Sequence, residues 1–251
     1  MRFEVTRPGA GPDRCGTLTL GEKQIQTPVF MPCASLAVVR ACPSHLVAEQ
    51  GIQMMIANAY HLWQRPGTDL VTRFGGIHDF MAWPGAMATD SGGYQVFSLA
   101  EQKNITENGV TFRSHIDGSL LELTPEKAMQ IQNELGADIA MVLDECVALP
   151  AEREYVEESV EMTARWAARC AEAHDRPDQA LFGIVQGGTC ADLRVRSSQK
   201  TVEIGFDGYA IGGLSVGESR SEMLQAVEAC LPHLPEDRPR YLMGVGTPLD
   251  I

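Results

Sequence analysis

The 251-residue chain is 44% apolar and 21% charged, a balance that excludes a disordered or fibrous protein. Its length suffices for one sizeable core, and its net charge of −13 has the wrong sign for holding nucleic-acid phosphates by bulk charge. The N-terminus lacks an apolar signal core, no run nears the roughly 18 apolar residues of a membrane span, and the seven cysteines form no Cys-x-x-Cys pair, so a reduced, cytoplasmic protein without a membrane partner is expected.

In chain order, residues 16–20 and 24–30 flank the turn Gly21-Glu22-Lys23 and predict a hairpin leading into a first buried strand. Seven short apolar runs then end on a polar, Gly or Met residue: 29–31, 54–58, 86–90, 139–144, 181–186, 208–213 and 241–244. A helix-like segment follows each of the first six. Such alternation predicts an α/β protein with a parallel sheet covered by helices. Eight units close a (β/α)8 TIM barrel, whose site lies at the C-terminal strand ends. About seven of the eight strands are expected here, so residues 1–251 are expected to form a single barrel domain that lacks its C-terminal strand.

Pro43 suits the first turn of a short helix ending near Gly51, and a second helix over 66–74 carries Leu70, Val71 and Phe74 on one face. Between residues 97 and 124, the turn signals Glu107-Asn108-Gly109 and Asp117-Gly118 predict an inserted antiparallel β meander over the barrel mouth. Thr124 should cap a helix that has Pro125 first and Gly136 just beyond its end. The longest helix, 152–174, should turn Val156, Val160, Ala167 and Cys170 toward the sheet. Ser219 and Glu222 form a capping box ahead of Met223, Val227 and Leu231.

The strand ends carry Asn58, Asp90, Asp144, Gln186 and Gly213. Asp90-Ser91-Gly92-Gly93 lets the backbone approach a flat ligand closely, although the same residues make ordinary turns. Asp144 ends a near-continuous apolar run, where a carboxylate is costly unless it is paired or meets a ligand; an ion pair to a neighbouring loop is the competing reading. Asp144 and Glu145 resemble a glycosidase pair, but adjacent residues of a strand face opposite sides. Gln186 and the two Gly-Gly turns offer an amide and exposed backbone N–H groups to a carbonyl on a planar heterocycle. Tyr94 and Met243 are candidates to sandwich a ring. The histidines (His45, His61, His78, His115, His174, His233) show no ligand spacing, and no residue is assigned to metal. A guanine-type edge suits the set Asp90, Asp144, Gln186 and the Gly213 backbone: a carboxylate accepts N1–H and N2–H, and amide or backbone N–H groups meet O6.

TDSGGYQVFSL at 89–99, FRSHIDGS at 112–119, LDEC at 143–146, FGIVQGG at 182–188, YAIGGLSVGE at 209–218 and YLMGVGTP at 241–248, with NAYHL at 58–62, resemble the tRNA-guanine transglycosylase family along essentially the whole chain. The resemblance implies an enzyme that exchanges guanine at the wobble position of tRNAs with GUN anticodons for a 7-deazaguanine base. An Asp nucleophile would attack the ribose C1′ and leave a covalent glycosyl-enzyme, as in retaining glycoside hydrolysis. By motif, Asp90 is the general acid/base, with Asn58 holding it. Ser91, Gly92, Gly93, Asp144, Gln186, Gly213 and Leu214 line the base site, and Tyr94 and Met243 flank the base. Gly244, Val245, Gly246, Thr247, Pro248, Leu249 and Asp250 match a tRNA-backbone segment, and Glu218 would steady the Leu214–Ser215 peptide. Cys146 and Val216 resemble bacterial members, which use 7-aminomethyl-7-deazaguanine in queuosine biosynthesis.

The resemblance also implies a homodimer, a nucleophile on the eighth strand and, beyond it, a structural zinc site. Neither the nucleophile nor zinc ligands are expected among these residues, so the chain alone is expected to be inactive. A basic tRNA surface would then belong to the same further part. Leu249, Ala59 and Cys33-Ala34-Ser35 depart from the family's usual Glu, Thr and Val-Gly-Thr. Two other classes remain open from the residues: a non-catalytic transglycosylase-like subunit or tRNA-binding remnant, and an unrelated glycosidase.

Overall fold

The computed structural model describes residues 1–11, 13–99 and 103–247. Strands β1 (Arg2–Pro8), β2 (Arg14–Leu20) and β3 (Lys23–Thr27) form an antiparallel sheet in that order. β2 and β3 are the expected hairpin. β1 was not legible: it is polar and mostly exposed, and only its pairing with β2, from Arg2 opposite Thr19 to Pro8 opposite Arg14, makes it a strand.

There follow α1 (Ser44–Glu49), β4 (Met54–Ala57), α2 (Ala59–Gln64), α3 (Thr68–Arg73), α4 (Ile77–Met81), β5 (Ala86–Thr89) and α5 (Gly93–Leu99). Next come β6 (Lys103–Thr106), β7 (Gly109–Arg113), β8 (Leu120–Leu123), α6 (Pro125–Leu135), β9 (Ile139–Met141) and α7 (Arg153–Ala173). The chain continues through β10 (Ala180–Val185), α8 (Ala191–Ile204), β11 (Gly208–Ile211), α9 (Arg220–Cys230) and β12 (Arg240–Leu242). Six strands, β4-β5-β9-β10-β11-β12, lie side by side and parallel in chain order. This is the curled sheet of an incomplete TIM-like barrel. Every residue of β4, β5, β9, β10 and β11 is buried, as parallel strands covered on both faces require.

The run 29–31 is not the first barrel strand. Pro28 and Pro32 flank it, and neither has an N–H for a ladder. Contact with β4 comes just afterwards, where Cys33 makes a single parallel bridge to Ile56. There the Ile56 N–H donates to Pro32 O (3.1 Å) and the Ala34 N–H to Ile56 O (2.7 Å). Val29, Phe30 and Met31 instead border an apolar cavity of about 460 Å³ shared with Met54, Phe182 and Leu242.

The inserted segment forms the antiparallel sheet β6-β7-β8. Phe112 of β7 packs on Tyr60 and Trp63 of α2, with ring centroids 5.7 and 6.3 Å apart. The Trp166 indole N–H of α7 donates to Glu107 O (2.9 Å), which pins the first turn of this sheet.

The helix-end chemistry operates as expected. Thr124 accepts from the Lys127 N–H, Pro125 opens α6, and Gly136 closes it at φ +71°. Ser219 and Glu222 form a reciprocal capping box on α9. α7 buries Val156, Val160, Ala167 and Cys170, together with Trp166. On α3 the expected apolar face is reduced to Val71; Phe74 is exposed and meets only the Phe80 ring edge-on at 5.6 Å.

The Thr124 cap is a compact test of these assignments. Thr124→Ala should cost about 1 kcal/mol of stability, read as a lower denaturant midpoint at unchanged slope. An unshifted midpoint would remove the cap from the account.

Candidate active site

The parallel strands deliver the expected residues to one end of the sheet. Asp90 follows β5 directly, and its N–H continues the ladder to Ala57 O of β4 (3.2 Å). Its carboxylate accepts from Asn58 Nδ2 and Gln95 Nε2 (2.9 Å) on Oδ2, and from the Ala59 N–H (3.0 Å) on Oδ1. Burial pushes its pKa up and these donors pull against the shift; the net direction is upward.

Asp144 lies beyond β9. Its Oδ2 accepts from Gln186 Nε2 (2.5 Å), and its Oδ1 from Ser91 Oγ (3.5 Å). Its pKa is raised to about 6, chiefly by burial, with the nearby negative Asp90 adding to the shift. The two carboxylates therefore share one poorly solvated region, and no cation bonds to either among the described residues.

Glycines make the approach possible. A Cβ on Gly93 would stand 2.7 Å from Asp144 O, so α5 can begin against that backbone only with hydrogen at this position. Gly213 sits at φ +62°, and a Cβ there would lie 2.0 Å from Gln186 Oε1. A Cβ on the neighbouring Gly212 would stand 3.1 Å from Gln186 Nε2 and 3.4 Å from Met243 Sδ. Asp144, Gln186, Gly213 and Met243 are thus neighbours in one wall, and the charge of Asp90 is felt at Asp144.

Leu214 is buried behind this wall, and Ser215 adopts φ +59°, unusual for a residue with a side chain. Glu218 accepts from the N–H groups of Ser215 and Val216 (3.0 Å to the latter), so the Leu214–Ser215 peptide is held as expected. Glu145 turns away from Asp144 and accepts from the Tyr155 hydroxyl, which dissolves the apparent glycosidase pair. A cavity of about 430 Å³ borders Asp144, Cys146, Val147 and Trp166.

Tyr94 is about half exposed with its ring on Phe97 at 6.0 Å, whereas Met243 lies toward Gly212. The contacts of these two side chains are with different neighbours. Gly244 approaches the Leu214 carbonyl, Val245 and Gly246 border the cavity at residues 28–31, and Thr247 is exposed. Pro248, Leu249 and Asp250 lie outside the described residues. Among the described residues, no group of three or more His, Cys, Asp or Glu could hold a metal ion. No helix among them is long and apolar enough to cross a membrane.

Three contributors escaped the sequence reading: Gln95, the Ala59 N–H and Arg194. Gln95 lies on α5, five residues after Asp90, a spacing at which its amide reaches back to the carboxylate. The Ala59 amide leaves no trace in a sequence. Arg194 is masked because the buried face of α8 is Leu193, Arg194, Ser197, Ser198 and Thr201, which lacks an apolar stripe.

One end of the parallel half-barrel thus gathers two buried carboxylates with neutral partners, an amide and a Gly-Gly turn. Residues 10–251 match the profile of the queuine tRNA-ribosyltransferase family. The queuine tRNA-ribosyltransferase of Symbiobacterium thermophilum is 54% identical over 253 residues, covering 100% of this chain and 63% of that protein. That of Solidesulfovibrio magneticus is 53% identical, covering 97% and 66%, and that of Bacillus licheniformis 52% identical, covering 94% and 62%. The chain belongs to the queuine tRNA-ribosyltransferase family and spans a little under two thirds of the length of these curated relatives.

The buried carboxylates make stability depend on pH. With a folded pKa of about 6 against an ordinary 3.8, Asp144 holds its proton longer in the native chain than in the unfolded one. Its contribution is therefore present at low pH and lost as pH rises from about 4 to 6. Asp144→Asn should be more stable than wild type at pH 7, by up to roughly 3 kcal/mol, with the advantage fading below pH 4. Denaturant unfolding across that range checks the sign; a variant no more stable at pH 7 would contradict it.

Proposed function

We propose that this chain supplies the base-binding and acid/base parts of a tRNA-guanine transglycosylase. The single observation behind this reading is the continuous wall Asp144–Gln186–Gly213 standing beside Asp90. In its ionised form Asp144 accepts the N1–H and N2–H of guanine, while Gln186 Nε2 and the Gly213 N–H donate to O6. Adenine, with an acceptor at N1 and a donor at position 6, presents the opposite pattern and is rejected.

Asp90, whose pKa burial pushes upward, is the group that would give a proton to the leaving base at N9 and take one back from the incoming base. Asn58, Gln95 and the Ala59 N–H fix its orientation. The nucleophile that attacks C1′ is placed on an eighth strand outside these residues. The macromolecular substrate is a tRNA with a GUN anticodon, whose wobble guanosine must leave its stack to reach these strand ends. Cys146 and Val216, which resemble those of bacterial members, support 7-aminomethyl-7-deazaguanine as incoming base and a place in queuosine biosynthesis.

Residues 1–251 are taken as one barrel domain of a cytoplasmic homodimer. The structural zinc that the resemblance implies is given no role in this reading of base recognition.

Equilibrium dialysis with labelled guanine tests the reading. Wild type should bind guanine and not adenine, and Asp144→Asn should bind guanine roughly 10- to 100-fold more weakly. Equal binding of the two bases, or an unaffected variant, refutes it. The 251 residues assayed by themselves should bind guanine without incorporating it into tRNA; measurable incorporation would place the nucleophile within them.

A further inference from the structure

Arg194, in the first turns of α8, is 0% exposed, and no carboxylate lies within ion-pair distance of it among the described residues. A lone buried guanidinium is costly unless its N–H groups are well satisfied. Here they are satisfied by four backbone carbonyls, with the Cys230 thiol alongside. Nε donates to Gly188 O (2.7 Å), Nη1 to Val185 O (3.1 Å) and Gly212 O (2.7 Å), and Nη2 to Gly213 O (3.1 Å).

These acceptors belong to two turns, the one after β10 that carries Gln186 and the one after β11 that carries Gly213. The planar fork therefore ties the two strand ends of the base wall together. Its charge has a second effect through the peptide unit. The Gly212 carbonyl shares a peptide with the Gly213 N–H, and the Gly213 carbonyl shares one with the Leu214 N–H. A cation on the oxygen draws electron density from the nitrogen and strengthens the N–H as a donor. A lysine ammonium, a point charge without the fork, could not serve all four carbonyls in this geometry.

We propose that Arg194 is a positioning residue for base recognition, which locks the Gln186 and Gly213 turns in register and polarises the Gly212–Gly213 peptide toward the oxo group of a purine. This rests on the guanine reading above.

Guanine and 6-thioguanine separate this role from a structural one. Both present N1–H and N2–H to Asp144, but sulfur at position 6 is the weaker acceptor. Wild type should prefer guanine by roughly three- to tenfold. In Arg194→Lys both ligands should weaken, guanine more than 6-thioguanine, so that the preference falls to about twofold or less. A merely structural role would weaken both ligands alike. Should the variant fail to fold, NMR of wild type carrying 15N-arginine decides: the slowest-exchanging guanidinium should shift on adding guanine, and less on adding 6-thioguanine. An unchanged preference in the folded variant, or guanidinium signals indifferent to guanine, overturns the inference alone. Absence of any guanine binding by wild type overturns the base-site reading and this inference with it.

Discussion

Two carboxylates buried side by side and held by neutral donors are the constraint on which the rest of this structure turns. Asp90 is bonded by two side-chain amides and a backbone N–H, Asp144 by an amide and a hydroxyl. An arginine or lysine beside either would depress its pKa and satisfy its charge permanently. Neutral partners leave both carboxyls hungry for protons and for donors. Such an arrangement destabilises the folded chain near neutral pH, and perturbed carboxylates of this kind gather where chemistry or recognition requires them.

The scaffold tolerates this because its strands are almost wholly apolar. β4, β5, β9, β10 and β11 are buried along their full lengths, and polar residues appear only where each run ends. Parallel pairing points those ends the same way, so residues distant in sequence, such as Asp90 and Gln186, reach one place without any local motif joining them. The fully buried Arg194 then serves the turns beyond β10 and β11, not the carboxylates.

Much of this was legible in the residues. Six of the seven apolar runs became the parallel sheet, since an uninterrupted apolar run with a polar end has few other homes in an α/β chain. The exception, 29–31, had the apolar content of a strand, but the prolines on either side removed ladder donors that hydropathy does not register. The caps at Thr124 and Ser219 were readable because they are local: one side chain bonding an amide three residues on. β1 was hidden for the opposite reason, being a strand only by virtue of its partner. In the site, strand-end positions were visible, whereas Gln95 and Arg194 act from helices on atoms that sequence spacing does not place.

The two carboxylates are not equivalent, and the difference follows from their partners. Asp90 receives donors from Asn58, Gln95 and the Ala59 and Gly92 backbone, which fix its orientation while burial raises its pKa. Among the described residues Asp144 is bonded by Gln186, by its own backbone N–H and, in a long contact, by Ser91, a looser hold than that on Asp90. A fixed, satisfied carboxyl suits repeated proton transfer at one atom, while an open one suits grasping a donor edge. Mutual repulsion reinforces the division, since ionising one raises the cost of ionising the other. Donors arriving at Asp144 would favour its charged form and thereby push the proton affinity of Asp90 further up. Pairs of carboxyls whose surroundings push them apart in this way divide the roles of acid and anion between them.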